Sequence, residues 1–179
     1  MIDYDVDTIK RFISSAVEKL EAREKNIILN DINERTIAHR LAVYLGEYFK
    51  EYDIDVEYNR NIEKGKHEPK YVHIIKDCFR EAYQKAKESG DDIQVFMEQV
   101  TTYPDIIVHE RGNNKHNILV IEIKKSNNKS DWEIDKRKLE GFTRKDDGYA
   151  YKIGLHLIIK ISEPWSTPEC EWYENGEKK

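Results

Sequence analysis

The chain alternates between segments whose apolar residues have helical spacing and segments whose spacing is typical of strands. Between residues 6 and 24, apolar side chains recur every three or four positions, as in an amphipathic helix: Ile9, Phe12, Ile13, Ala16, Val17 and Leu20. The same spacing predicts a second helix from about Asn33 to Lys50, with Asp31 or Asn33 available to cap its first turn. Residues 54–58 alternate apolar and polar side chains and therefore predict a strand.

The middle of the chain has a weaker pattern. Residues 60–70 are polar and contain glycine and proline, which predicts a loop. Apolar residues at helical spacing predict an inserted helix over about 71–88, which Ser89-Gly90 would end. Residues 93–100 predict a further strand.

The clearest strand signals lie in the second half of the sequence. Residues 105–109 and 118–124 are rich in β-branched and apolar side chains, and Arg111-Gly112-Asn113-Asn114 separates them. We interpret this pair as a β-hairpin with buried strands. A charged helix over 131–143 and another buried strand over 151–161 follow.

This order of elements predicts an α/β protein with three layers, in which a central mixed sheet of four or more strands is flanked by helices. We expect one domain over residues 1–179. Within it, residues 1–30 form an N-terminal helical arm, residues 31–161 form the core, and residues 162–179 form a polar tail that frays.

Composition is consistent with a folded domain and excludes several classes of protein. Hydrophobic residues make up 39% of the 179 positions and charged residues 36%. No apolar run is long enough to span a bilayer, and the N-terminus lacks the order of a signal peptide. The two cysteines, Cys78 and Cys170, have no CxxC spacing. We therefore expect a cytoplasmic protein with reduced thiols and no membrane partner.

Charge is distributed unevenly along the chain. The formal net charge is −5, yet residues 111–160 hold 12 Lys and Arg against 7 Asp and Glu. A local basic surface can contact phosphates even when the whole protein is acidic. The sequence therefore allows a nucleic-acid partner.

The most informative charged residues interrupt apolar strands. Glu122 and Lys124 are two positions apart, so their side chains share one face of the predicted strand. Asp105 opens the preceding strand, and hairpin pairing would bring it close to Glu122. Two buried carboxylates repel each other, and a divalent cation between them removes the repulsion. Oxygen ligands suit Mg²⁺ or Mn²⁺, and Lys124 could orient a water or stabilise charge on a phosphate.

These residues also match a known motif. Tyr103-Pro104-Asp105-Ile106-Ile107-Val108, followed by Ile121-Glu122-Ile123-Lys124-Lys125-Ser126, resembles the PD-(D/E)XK nuclease superfamily. The resemblance covers roughly residues 31–161 and implies a restriction-endonuclease-like αβββαβ core. It implies that Asp105 and Glu122 bind Mg²⁺ or Mn²⁺ together with the backbone carbonyl of Ile123, and that Lys124 assists the nucleophilic water.

The superfamily often has another acidic residue on a helix before the first core strand. Glu34 is the match in this sequence, and the resemblance implies that it is a further catalytic residue and metal ligand. Glu34 shares a helix face with apolar residues at offsets of 3, 4, 7 and 11: Ile37, Ala38, Leu41 and Leu45. The alternative is a first-turn glutamate that complements the helix dipole.

Two functional hypotheses remain open from the sequence. The first is a metal-dependent nuclease that hydrolyses nucleic-acid phosphodiester bonds, with DNA favoured over RNA. The second is a catalytically idle nuclease fold that acts as a binding or interaction module or as a subunit of a larger defence or repair assembly. Under either hypothesis, the partner besides nucleic acid could be a second copy of the chain, in a homodimer, or another protein. A structural domain with an accidental motif is a third reading.

The remaining charged residues have less specific interpretations. His39, His109, His116 and His156 lack the spacing of metal ligands, and we expect His156 to pack in the core or face the substrate. We expect Lys136 and Lys138 to lie on a solvated helix face.

Overall fold

A computed structural model describes residues 1–60, 69–75, 79–128, 130–145, 149–161 and 166–179. Within these ranges the helices are α1 (Val6–Leu29), α2 (Glu34–Leu45), α3 (Arg80–Ser89) and α4 (Trp132–Thr143). The strands are β1 (Asp53–Val56), β2 (Tyr71–Ile75), β3 (Met97–Thr101), β4 (Ile106–His109), β5 (Leu119–Lys125), β6 (Ile153–Ile159), β7 (Glu169–Glu174) and β8 (Glu177–Lys178). None of the described helices has the length and apolar character needed to cross a bilayer.

Six of these strands form one mixed sheet in the order β1-β4-β5-β6-β7-β8. Strand β4 runs antiparallel to both β1 and β5, as the predicted hairpin requires, and β6 runs parallel to β5. Helix α4 makes the crossover between the two parallel strands. The prediction of an α/β protein with a central mixed sheet is therefore confirmed.

One face of the sheet packs against α1 and α2. Asp5 and Asn33 cap these helices by accepting hydrogen bonds from the backbone N–H groups of Thr8 and Thr36. The predicted arm is part of this core, because α1 packs its apolar stripe against α2 and the sheet. The core on this face includes Ile9, Ile13, Leu20, Ile37, Leu41, Leu45, Ile106, Val108, Leu119, Ile121, Ile123, Leu155 and Leu157.

The other face packs against α4 and the β2–β3 hairpin. Its apolar cluster is smaller and rich in aromatic side chains: Val72, Ile74, Ile107, Val120, Leu139, Phe142, Tyr149, Tyr151 and Tyr173. Because side chains alternate along a strand, Glu122 and Lys124 share this face with Val120. The candidate residues therefore lie between the sheet and α4.

The predicted helix over 71–88 is wrong in its first part. Residues Tyr71–Ile75 form β2, which pairs with β3 in a separate two-stranded sheet. Val72 and Ile74 are both fully buried, so the two-residue spacing that packs against α4 outweighs the helical spacing. A helix does form over Arg80–Ser89. The loop expected over 60–70 lies largely outside the described residues, as does Cys78.

The expectation of a fraying tail is also wrong. Strand β7 extends the main sheet by pairing antiparallel with β6, and β8 pairs with β7. The side chains of β7 alternate between the two faces of the sheet: Trp172 packs against the α1–α2 core, and Tyr173 is buried in the aromatic cluster. The glutamates on either side of this aromatic pair gave the segment its loop-like appearance, while Trp172 and Tyr173 secure it to the core.

Candidate functional site

The β4–β5 pairing brings Asp105 next to Glu122. Ile106 pairs with Ile121 in this antiparallel ladder. Asp105, which precedes Ile106, therefore lies beside Glu122, which follows Ile121. The Asp105 carboxylate is held by the strand itself, because its Oδ2 accepts a hydrogen bond of 2.7 Å from the backbone N–H of Ile123. Glu122 is 4% exposed. Two carboxylates therefore share a largely buried position at one end of the sheet.

Their proximity and burial alter how both groups ionise. Burial raises the pKa of Asp105 to about 6, although the Ile123 N–H and the Lys124 ammonium oppose the shift. Burial raises the pKa of Glu122 well above its usual value, and the charges of Asp105 and Asp135 add to the effect. Glu122 Oε1 is buried and has no hydrogen-bond partner among the described residues. An unsatisfied, buried carboxylate oxygen is costly and is typical of a site that receives a ligand.

A third carboxylate, which sequence reasoning missed, lies opposite them on α4. Asp135 is 3% exposed and contacts two lysines. Lys124 Nζ lies 3.0 Å from Asp135 Oδ2, as an ion pair without hydrogen-bond alignment, and Lys138 Nζ donates to Oδ1 at 3.0 Å. Asp135 thus fixes both ammonium groups beside Glu122.

Both lysines remain cationic in this setting. Burial disfavours the charge of Lys124, but the carboxylates of Asp135, Glu34 and Asp105 outweigh it and raise the pKa of Lys124. The pKa of Lys138 is also raised, because Glu122 and Asp135 outweigh the effect of burial. The expectation of a solvated helix face is wrong for Lys138, whose side chain is 18% exposed.

A sequence signal for Asp135 exists. It lies four and seven positions before Leu139 and Phe142, which are buried on the face of α4 that packs on the sheet. A carboxylate on an apolar helix face is unusual, and the same reasoning that selected Glu34 applies here.

Glu34 lies at the end of β5, on the edge of the site. It is the first residue of α2, and its Oε1 accepts a hydrogen bond of 3.0 Å from the backbone N–H of Lys125. The Nδ2 of Asn128 donates to the same oxygen at 3.4 Å. Its negative charge raises the pKa of both Asp105 and Lys124. The structure therefore brings Glu34 near the other candidates while one of its oxygens binds the backbone.

His156 stands beside Glu122 in the parallel β5–β6 pair. It is fully buried, its Nδ1 lies 3.2 Å from Glu171 Oε2, and its ring contacts Trp132 edge-on. Burial lowers the pKa of His156. Its Nε2 has no hydrogen-bond partner within the described part of the chain. His109 and His116 pair with carboxylates elsewhere, at Asp55 and Glu110.

The oxygen atoms at this end of the sheet have the chemistry that divalent metals require of their ligands. Asp105 and Glu122 offer carboxylate oxygens of the kind that Mg²⁺ and Mn²⁺ prefer, and Glu122 Oε1 lacks another partner among the described residues. Across those residues, no group of three or more His, Cys, Asp or Glu side chains is arranged to hold a metal ion. The described residues thus offer two carboxylates of the chemistry that suits a hard cation, without a third side-chain ligand beside them.

Comparison with protein-family models, with curated proteins and with solved structures finds no significant match for this chain. What the protein does is therefore inferred from its own side chains. Those with the clearest chemical meaning are the Asp105–Glu122 pair and the two lysines that Asp135 joins.

Proposed function

We propose that this chain is a metal-dependent nuclease of the PD-(D/E)XK type, which hydrolyses phosphodiester bonds of a nucleic acid. The observation that carries the proposal is the pair of the buried Glu122 and the half-buried Asp105, with Lys124 on the same face of β5 as Glu122. Phosphodiester hydrolysis needs a carboxylate site for a cation and a positive group beside it. These groups converge at one end of the sheet.

The order of the elements supports the same proposal. Without the β2–α3–β3 insertion, the chain from α2 to β6 runs α2, β1, β4, β5, α4, β6. This is the αβββαβ order of a restriction-endonuclease-like core. Asp105 precedes the second strand of that series and Glu122 lies on the third.

The proposed roles follow from the positions of the side chains. Asp105 and Glu122 provide the metal ligands, and the carbonyl of Ile123 lies between Glu122 and Lys124 to add a third oxygen. A bound Mg²⁺ or Mn²⁺ would supply a Lewis acid and lower the pKa of a coordinated water. Glu34 fixes the end of β5 through the Lys125 N–H and adds negative potential; its role as a ligand stays a prediction.

The proposed role of the two lysines is to stabilise the negative charge of the phosphate. Lys124 is placed to orient water and to stabilise negative charge that develops on the phosphoryl group. Asp135 acts as a positioning residue, because it holds Lys124 at 3.0 Å and Lys138 at the same distance. Lys138 adds a second cation at the site.

The proposed substrate is a nucleic acid, and DNA is favoured over RNA because it is the commoner substrate of the superfamily. The excess of lysine and arginine over residues 111–160 supports a phosphate-rich partner. Three members of that segment, Lys124, Lys136 and Lys138, lie on β5 and α4 around the site.

A second candidate is an idle nuclease fold that binds a partner without cleaving it. Two observations favour it: the described residues hold no group of three side-chain ligands, and Glu34 uses an oxygen to bind the backbone. The two candidates differ in whether a divalent cation binds.

Calorimetric titration with Mn²⁺ separates them, alongside cleavage assays on single- and double-stranded DNA and on RNA. We expect wild type to bind Mn²⁺ and gain thermal stability, since a ligand that binds only the folded state stabilises it. Asp105→Asn and Glu122→Gln should lose the metal response and the cleavage. Each should be at least as stable as wild type without metal, because one of two repelling charges is gone.

Glu133→Gln is the matched control, because Glu133 lies on α4 with its side chain 75% exposed and outside the site. It should bind Mn²⁺ and cleave as wild type does. Absence of Mn²⁺ binding to wild type at millimolar concentration would contradict the nuclease proposal and favour the idle module.

A further inference from the structure

An exposed aromatic side chain lies two residues before Asp105. Tyr103 is 61% exposed, which makes it the most exposed aromatic residue in the described part of the chain. Because consecutive Cα atoms are about 3.8 Å apart, those of Tyr103 and Asp105 are separated by at most about 7 Å. Covering an aromatic ring is favourable, so an open ring this close to a candidate metal ligand is suited to contact with a substrate.

A cavity of about 290 Å³ adjoins this ring. Its described lining consists of Tyr103, Pro69 and residues 56–60, which end β1 and follow it. Tyr58 is a second aromatic residue in the lining, and its ring is held from behind by His109, with the two ring centroids 5.2 Å apart. The cavity thus combines one tyrosine that is packed in place with one that is open to solvent.

The walls of the cavity are joined to one another and to Asp105. The Glu57 N–H donates to the carbonyl oxygen of Asp105 at 3.3 Å. The Lys70 N–H donates to Asn59 Oδ1 at 2.8 Å, and the Lys70 carbonyl oxygen accepts from the Thr102 N–H at 3.2 Å. These hydrogen bonds connect the three segments that form the walls, so the cavity is preformed, as binding sites usually are.

The charges around the cavity are compatible with a phosphate backbone. Its described lining holds one carboxylate, Glu57, whose Oε1 lies 2.6 Å from Arg35 Nε. Arg60 also belongs to the lining and is exposed at the rim. The one carboxylate is therefore paired with an arginine, and repulsion of a nucleic-acid strand by this wall is reduced.

We propose that Tyr103 and the cavity beside it bind an unpaired base of a single-stranded nucleic acid whose backbone reaches Asp105 and Glu122. A tyrosine ring can stack on any base, because every base has a π face, and such stacking needs a base that is free of its duplex neighbours. The inference rests on the proposed function, since it takes a nucleic acid as the ligand of this end of the sheet. It adds that the strand is single where it passes Tyr103.

The test is fluorescence anisotropy of a labelled oligodeoxythymidine and of a labelled duplex of the same length, with the full chain at fixed ionic strength and without divalent metal. We expect wild type to bind the single strand more tightly than the duplex. Tyr103→Leu should weaken single-strand binding about tenfold, as expected for the loss of one stacked base, and leave duplex binding unchanged. Tyr103→Phe should bind as wild type does, because it keeps the ring.

Val95→Ala is the control for a general loss of exposed apolar surface. Val95 is 63% exposed just before β3 and does not line the cavity, so this variant should bind both oligonucleotides as wild type does. An equal weakening in Val95→Ala and Tyr103→Leu overturns the inference. Full single-strand binding by Tyr103→Leu overturns it as well, as does a loss in Tyr103→Phe that matches the loss in Tyr103→Leu.

These measurements need neither metal nor cleavage, so their outcome is distinguishable from that of the nuclease proposal. A wild-type protein that binds no Mn²⁺ but shows single-strand binding dependent on the Tyr103 ring supports the base-binding site within an idle module. A wild-type protein that cleaves DNA yet prefers the duplex, or binds no single strand, overturns the base-binding site and leaves the nuclease proposal standing.

Discussion

Two regions on the α4 side of the main sheet both bury charged side chains, but the partners of those side chains differ. At one end, Asp105 and Glu122 lie together with the lysines that Asp135 holds. At the other, Lys70 is 2% exposed and surrounded by aromatic rings. Its Nζ contacts the Tyr151 hydroxyl at 2.9 Å and lies 5.4 to 5.6 Å from three ring centroids, those of Tyr58, Tyr149 and Tyr151.

The difference lies in the partners of the buried lysines. Lys124 contacts a carboxylate, and its pKa is raised despite burial. Among the described residues, the Lys70 ammonium contacts a hydroxyl and aromatic faces, and burial lowers the pKa of Lys70 to about 8, with a small opposing effect from Asp55. Burial alone therefore does not mark a lysine as functional. A buried lysine held by carboxylates keeps its charge, whereas one enclosed by tyrosine rings loses its proton more readily.

The largest effect is expected from exchanging each of these lysines for methionine, which has a similar length and no charge. Lys124→Met should lower the cleavage rate about a thousandfold, since it removes a cation beside the phosphate, and should leave Mn²⁺ affinity unchanged. Lys70→Met should cleave at the wild-type rate. Single-turnover assays measure the cleavage rate, and calorimetry measures the Mn²⁺ affinity. A Lys70→Met variant as inactive as Lys124→Met would contradict the distinction between the two lysines.

A smaller effect is expected on stability as a function of pH. Because the pKa of Lys70 is about 8 in the folded protein and 10.5 when unfolded, the unfolded chain binds more protons between these values. The free energy of unfolding should therefore rise with pH, by about 2 kcal/mol from pH 7.5 to 9.5 through this residue. Lys70→Met should lack this rise.

Urea unfolding of both proteins at several pH values below 10 measures the difference. The range stops there because the buried hydroxyls of Tyr151 and Tyr173 have raised pKa values, and their contribution to stability falls above pH 10. Parallel curves for wild type and Lys70→Met would show that the cage does not lower the pKa of the lysine.

The smallest effect is expected from Asp135→Asn. This change keeps the shape of the side chain but removes the charge that holds Lys124 and Lys138 at 3.0 Å. The cleavage rate should fall about tenfold, because the lysines are less well positioned, with the substrate KM nearly unchanged. Asp135→Glu should recover part of the rate. A loss of Mn²⁺ binding in Asp135→Asn would instead identify Asp135 as a ligand.

The sequence alone determined the β4–β5 hairpin of the main sheet and the face of β5 that Glu122 and Lys124 share. The apolar runs at 105–109 and 118–124 are short and rich in β-branched residues, which favours buried strands, and they do pair as a hairpin. The two-residue offset of Glu122 and Lys124 placed them on one face for the same reason. Local patterns suffice here because alternation and turn chemistry act over a few residues.

The surroundings of several residues depend on distant parts of the chain, and only the tertiary structure decided them. Asp135 and Lys138 meet Lys124 because α4 crosses over the sheet, and β7 exists because β6 offers it an edge. Strand β2 forms in place of the predicted helix because, as a strand, the segment packs Val72 and Ile74 together against α4. Lys70 lies in a polar stretch of the sequence, and its enclosure by Tyr58 and by the neighbouring Tyr149 and Tyr151 depends on the folding together of two distant segments. Most of these contacts join separate elements of the chain, and their free energy comes from burial that no local window of sequence contains.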